Sequence, residues 1–223
     1  MSTPMFDWPA STRVDQAVPK ARVLSYAPQR RGLKDRLSQQ LDGLTWSCKL
    51  SPETINLPAS TDVAELQVFT LQLKAGITRA DPLLLRAIDQ AIPSPLLFEV
   101  RSAKGICIAA AHKRPSEADA SRWVLGEHMV SEWLPLDTPR QPLPVALDLG
   151  GLYRALLRAL IPIPARAGEG LRAQLERLAL LRVAERDCMR LSKQLSREAQ
   201  FNRKVALNQR LRERQEELER LRQ

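Results

Sequence analysis

The chain has 223 residues, 44% of them hydrophobic but only 4% aromatic, which leaves room for one medium domain with an aliphatic core plus an extension. No apolar run approaches the ~20 residues that a bilayer-crossing helix needs, and residues 1–10 lack the basic-then-apolar order of a secretory signal. The formal charge of +9 points away from a cationic partner and towards nucleic acid or an acidic protein surface.

Residues 1–31 read as a proline-rich arm. Pro4, Pro9, Pro19 and Pro28 each remove an amide donor and bias the preceding residue to an extended shape, with room for a short helical turn after Ser11 or Thr12. Residues 32–165 read as an α+β domain. Leu33, Leu37 and Leu41 recur at four-residue steps, which predicts a short helix that Gly43 ends. The period then changes to two: Leu44, Trp46, Cys48 and Leu50 alternate with polar residues, as in a strand with one buried face. Pro52 breaks that strand, Ile55 and Leu57 could continue it, and residues 63–73 supply a second. Ser51-Pro52-Glu53-Thr54 reads as a turn in which Ser51 or Thr54 bonds its own backbone, in preference to a bulge aimed at a ligand.

Asp81 and Pro82 open a helix over residues 81–92, with Leu84, Leu85, Ile88 and Ile92 as its stripe. Residues 96–102 and 106–113 form a predicted hairpin, the second strand apolar on both faces and therefore central. Residues 123–136 predict one long strand or a strand pair, and residues 147–161 a helix with a broad leucine face. Together these predict a mainly antiparallel sheet with helices on one face.

Residues 171–223 contain no proline or glycine and are dense in Leu, Arg, Glu and Gln. As one helix they would run roughly 80 Å at ~1.5 Å per residue. Leu178, Leu181, Cys188 and Leu195 follow one coiled-coil seam, and Leu207, Leu211, Leu218 and Leu221 another. The two are out of frame across the polar stretch 196–204. Either the coiled coil is discontinuous there or two helices meet at a bend. A second copy of the chain or a partner helix would cover the leucine stripe, the alternative being a helix that folds back on its own domain.

Charge is unevenly placed. Residues 1–43 carry 7 Lys/Arg against 4 Asp/Glu, residues 44–170 carry 13 of each, and residues 171–223 carry 14 against 8. A neutral body with a basic tail suits binding along phosphates, and Arg172, Arg177, Arg182, Arg186, Arg190, Arg197, Arg203, Lys204 and Arg210 are the residues expected to contact DNA or a partner.

Signals for chemistry are weaker. A restriction-type nuclease needs carboxylates and a lysine converging on a metal. Glu53, Glu65, Asp81 and Glu99 with Lys74, Arg101 or Lys113 are the material for one, Glu99 and Glu65 being the weak catalytic candidates. Yet Glu99-Val100-Arg101 ends in a guanidinium that cannot act as a base. Cys107 and His112 fall on opposite faces of a strand, which disfavours thiol catalysis. Gly150 and Gly151 open no phosphate loop. Trp46, Trp123 and Trp133 could stack on bases, but their apolar neighbours favour the core. The three cysteines, Cys48, Cys107 and Cys188, make neither a disulfide framework nor a zinc-spaced set, and a reducing cytoplasm is the expected compartment. No cofactor or metal is expected.

Several segments carry a resemblance: Lys49-Leu50-Ser51-Pro52-Glu53-Thr54-Ile55-Asn56-Leu57, Glu65-Leu66-Gln67-Val68-Phe69, Arg86-Ala87-Ile88-Asp89-Gln90-Ala91-Ile92-Pro93 and Leu97-Phe98-Glu99, with Pro9-Ala10-Ser11-Thr12-Arg13-Val14 and Pro19-Lys20 before them. In this order the chain resembles an uncharacterised bacterial and archaeal family known only as a domain of unknown function. The resemblance implies a setting beside a restriction-type helicase and a DNA methyltransferase in regions that protect against phage. It brings no catalytic residues. The expected function is thus a non-enzymatic accessory subunit of such a system, with the helicase or methyltransferase, a second copy of itself and possible DNA as partners and no membrane. The rivals are a metal-dependent nuclease subunit and a coiled-coil scaffold that binds no DNA.

Overall fold

Leu41–Leu50 buries Leu41, Leu44, Cys48 and Leu50 and leaves the residues between them open or half-open, and this strand, β2, belongs to a six-stranded sheet. The computed structural model describes residues 4–27, 32–119 and 122–223, which fall into two compact units, 1–160 and 161–223. In the first unit the strands are β1 (Arg13–Ala17), β2, β3 (Leu66–Leu73), β4 (Leu96–Ser102), β5 (Gly105–Pro115) and β6 (Trp123–Val130), in that order across the sheet. The sheet is mixed, not mainly antiparallel. Helix α4 (Pro82–Ala91) carries the chain back between β3 and β4, so those two strands run parallel while the other neighbours are antiparallel.

Asp81 caps α4 by accepting from the Leu83 amide at 2.8 Å, and Pro82 follows at the first helical position, where its missing donor costs nothing. The stripe of α4 packs with α1 (Lys20–Tyr26) and α2 (Leu33–Gln40) on one sheet face. Leu37, Leu84 and Ile88 meet Leu71, Phe98 and Ala109 in a single aliphatic core. Trp46 and Trp133 pack against this core.

The arm is more regular than its prolines predict. Pro9 precedes a 3-10 turn at Ala10–Thr12, β1 joins the sheet edge, and α1 follows Pro19, with Pro28 outside the described residues. Gly43 lies inside β2 rather than ending α2. Pro52–Ile55 forms one helical turn, α3, in which the Ser51 amide donates to Thr54 Oγ1 at 2.8 Å, so the local-turn reading of that segment holds. The strand expected over residues 123–136 stops at Val130, leaving only a bridge between Ile106 and Leu134. Helix α5 (Leu149–Arg158) begins where Asp148 accepts from the Gly151 amide at 2.6 Å.

In the second unit the tail is two helices, α6 (Leu171–Arg197) and α7 (Phe201–Arg222), rather than one rod. Glu198 and Gln200 take extended backbone angles at the break. The polar stretch there offers no apolar stripe to keep a helix packed, and the turn brings the two leucine seams together. Arg177 Nη1 donates to the Leu221 carbonyl at 2.7 Å, and Arg222 Nη2 reaches Glu185 Oε1 at 3.4 Å, so α7 returns antiparallel beside α6. Leu178, Leu181 and Leu218 are buried, while Leu195, Leu207, Leu211 and Leu221 are half-buried. Among the described residues no helix is long and apolar enough to cross a membrane.

Candidate functional site

Strand alternation puts Phe69, Phe98 and Leu71 against the helices and turns Thr70, Glu99 and Arg101 to the other face. The register sets Thr45 beside Thr70 and Thr70 beside Glu99, a polar row across three strands. Two segments run together over this face. The Asp7 amide donates to the Gln141 carbonyl at 2.8 Å, and the Gln141 amide returns to the Met5 carbonyl at 2.9 Å. They bring Trp8 and Arg140 onto Glu99.

Glu99 is almost wholly buried. Its Oε1 accepts from Trp8 Nε1 at 2.7 Å and Arg140 Nη1 at 2.6 Å, and its Oε2 from Arg140 Nη2 at 2.9 Å. Burial works to raise its pKa, but the bonds from Arg140 and Trp8 and the charges of Arg140 and Arg101 outweigh it and hold the carboxyl below the usual range. Both oxygens of this weak catalytic candidate are thereby committed to holding the two covering segments.

Glu65, Asp81 and Lys113 are similarly engaged. Glu65 accepts from Ser94 Oγ at 2.7 Å and pairs with Lys49 at 3.0 Å; Asp81 pairs with Arg36. Lys113 is buried and donates to Asp89 Oδ1 at 3.0 Å and to the Asp89 and Ile92 carbonyls, closing the C-terminal end of α4. Burial pulls its pKa down, against the pull of Asp89. His128 Nε2 lies 3.0 Å from the second Asp89 oxygen. Among the described residues no three His, Cys, Asp or Glu side chains are grouped to hold a metal ion. Cys107 belongs to the helix-side core, where burial pushes its thiol up to about 11, and His112 stacks on Tyr153 instead.

Tyr153 has a structural role that no sequence pattern announced. The bulge between Ala111 and Lys113 disturbs the ladder, and the tyrosine hydroxyl accepts from the Lys113 amide at 3.0 Å and donates to the Ala111 carbonyl at 2.6 Å.

A cavity of about 380 Å³ opens on the polar face, lined by residues that include Arg13, Asp15, Ser47, Thr70, Glu99 and Arg101. Asp15 sits in β1 with φ +49°, left-handed backbone that a non-glycine residue seldom adopts, where the register shifts between Arg13 and Gln16.

The profile of the family described as domain of unknown function DUF4391 matches residues 6–218. The chain belongs to that family. No curated protein and no solved structure matches this DUF4391 chain.

The basic residues of the DUF4391 tail separate into different roles. Arg177 is buried, bonded to Glu169 at 2.8 Å and to the carbonyls of Pro164 and Leu221, so it clamps the hairpin and presents no charge to a partner. Arg172 pairs with Glu176 at 3.2 Å. Arg186, Lys193 and Arg197 are exposed and, among the described residues, form no ion pair; Arg190 is exposed and reaches Asp187 at 2.9 Å. Arg182 is half-exposed on the same side, while Arg203, Lys204 and Arg210 are exposed on α7. Lys193, absent from the expected set, completes the row.

Proposed function

We propose that the chain is a non-enzymatic accessory subunit of a helicase- and methyltransferase-type anti-phage system. Its C-terminal hairpin makes the contacts, to a protein partner and along DNA phosphates. The observation that carries this reading is the spacing on α6: Arg182, Arg186, Arg190, Lys193 and Arg197 recur at four, four, three and four residues, opposite the buried Leu181, Ala184 and Leu191. That row extends roughly 22 Å at ~1.5 Å per residue, and a duplex offers a phosphate charge about every 1.7 Å over the same span. Leu180, Val183 and Met189 on α6 and Phe201 and Val205 on α7 are exposed apolar side chains of the same hairpin, of the kind that a protein partner covers.

We further read the hairpin as a short antiparallel coiled coil whose seam is Leu178, Leu181, Leu195, Leu207, Leu211, Leu218 and Leu221. The defence setting and the cytoplasmic location rest on the resemblance and on cysteine usage, not on geometry. The engagement of Glu99 and Glu65 in ion pairs supports a non-catalytic body over a nuclease.

The test is affinity purification of the tagged chain from its native cell, in parallel with a chain carrying Leu180→Ser, Val183→Ser and Phe201→Ser. Co-purification of a helicase or methyltransferase with the first and not the second is the expected result. Equal recovery would overturn the assembly role. Recovery of partners without DNA binding would leave a scaffold.

A further inference from the structure

The cavity on the polar sheet face is lined by three arginines, Arg13, Arg101 and Arg140, and three carboxylates, Asp7, Asp15 and Glu99, which are unequally paired. Two guanidinium groups approach one carboxylate, and Arg140 takes both oxygens of Glu99 at 2.6 and 2.9 Å. Arg101 is left at 3.6 Å from Oε2, with its side chain 44% exposed and its Nε hydrogen donated to no acceptor. Arg13, on the opposite rim of the same cavity, forms no ion pair among the described residues. Hydroxyls add further donors. Ser47 Oγ and Thr70 Oγ1 lie 2.7 Å apart, so one hydroxyl hydrogen bridges the pair and the other is directed elsewhere. The cavity is open to solvent and, at about 380 Å³, falls within the range of about 300–1,000 Å³ typical of small-ligand sites.

Acidic groups face the cavity too. Asp7 and Asp15 line it, and Asp15 has the positive φ of the irregularity in β1. An ordinary strand would leave that residue in extended geometry. A guanidinium whose nearest carboxylate is already bonded through both oxygens to Arg140, a hydroxyl hydrogen directed away from its partner and a carboxylate at a bulge make a site that is polar at both ends.

We propose that this cavity binds a small molecule carrying an oxyanion, carboxylate or phosphate, on Arg101 and the Ser47–Thr70 hydroxyls, with a hydrogen-bond donor of the same molecule on Asp15. Arg101 is suited to the oxyanion because a planar guanidinium meets two oxygens at once. Glu99 positions the site without touching the ligand: it fixes Arg140, and through Arg140 the covering segments. The site lies in the first unit and is independent of the basic row on α6.

Calorimetric titration of the full chain with inorganic phosphate, L-glutamate and adenosine monophosphate, at constant ionic strength, tests the proposal. Saturable binding of at least one probe is expected, glutamate reporting a carboxylate site and the other two a phosphate site. Arg101→Gln is expected to weaken that binding about 10-fold or more, as loss of a charge-assisted bond should. Asp15→Asn and Thr70→Val, each monitored for an unchanged melting temperature, carry the same test if Arg101→Gln does not fold. No saturable binding of any of the three probes at millimolar concentration would overturn the proposal, as would equal affinity in all variants.

Discussion

Glu99 shows how a residue type can suggest catalysis while its surroundings assign it to structure. A carboxylate on a strand, two residues before a basic side chain, resembles a metal ligand in the sequence. Trp8 and Arg140 occupy its oxygens instead, and both come from segments more than forty positions away, which no local pattern could foretell. Glu99→Gln keeps the shape and removes the charge, leaving the Arg140 guanidinium with no close counter-charge; a loss of about 2–3 kcal/mol in urea unfolding is expected. Glu169 makes the corresponding point in the hairpin. Hydrogen bonds from Arg177 and from the Arg166 amide lower its pKa to about 2. A carboxyl whose folded pKa is depressed stabilises the fold above its unfolded value, about 4.3, and loses that contribution as pH falls through the folded value. Glu169→Gln should therefore have a lower urea midpoint than the native chain at neutral pH. The difference should narrow between about pH 4.3 and 2. A constant difference across that window would show that the pair does not act through charge.

At the scale of elements, the clearest backbone requirement is the β4–β5 turn. Gly105 has φ +121°, and a Cβ there would collide with the Leu134 carbonyl. Gly76 also has positive φ, at +83°, but nothing lies within 4 Å of the Cβ position. Gly105→Ala is expected to cost about 3 kcal/mol, against about 1 kcal/mol for Gly76→Ala, because only the first adds a clash to the conformational strain. Thermal unfolding of the two variants separates the cases. Much of the element order was legible in the chain: α2, β2, α4 and the β4–β5 hairpin follow from periodicity and from caps such as Asp81. The parallel pairing of β3 and β4 was not, since local alternation carries no direction. Nor was β1, whose four-residue neighbourhood of prolines masks a strand that needs only one paired edge.

At the scale of the molecule, the tail replaces an 80 Å rod with a hairpin that covers part of its own seam. Helix propensity was readable in residues 171–223, and the out-of-frame seams across the polar stretch 196–204 left a bend between two helices as one of two alternatives; the sequence did not choose it, because the break at residues 198–200 contains neither proline nor glycine. Folding back moves Arg177 inside and sorts the remaining cations by face. The basic row on α6 is then the surface on which the proposed function rests. Its most direct test is DNA binding by the full chain, read by fluorescence anisotropy against salt, with and without Arg182→Gln, Arg186→Gln, Lys193→Gln and Arg197→Gln. A slope of log affinity on log salt that becomes shallower by about 3–4 in the fourfold variant, with weaker binding to every sequence, is the predicted result. Unchanged affinity and slope would contradict it.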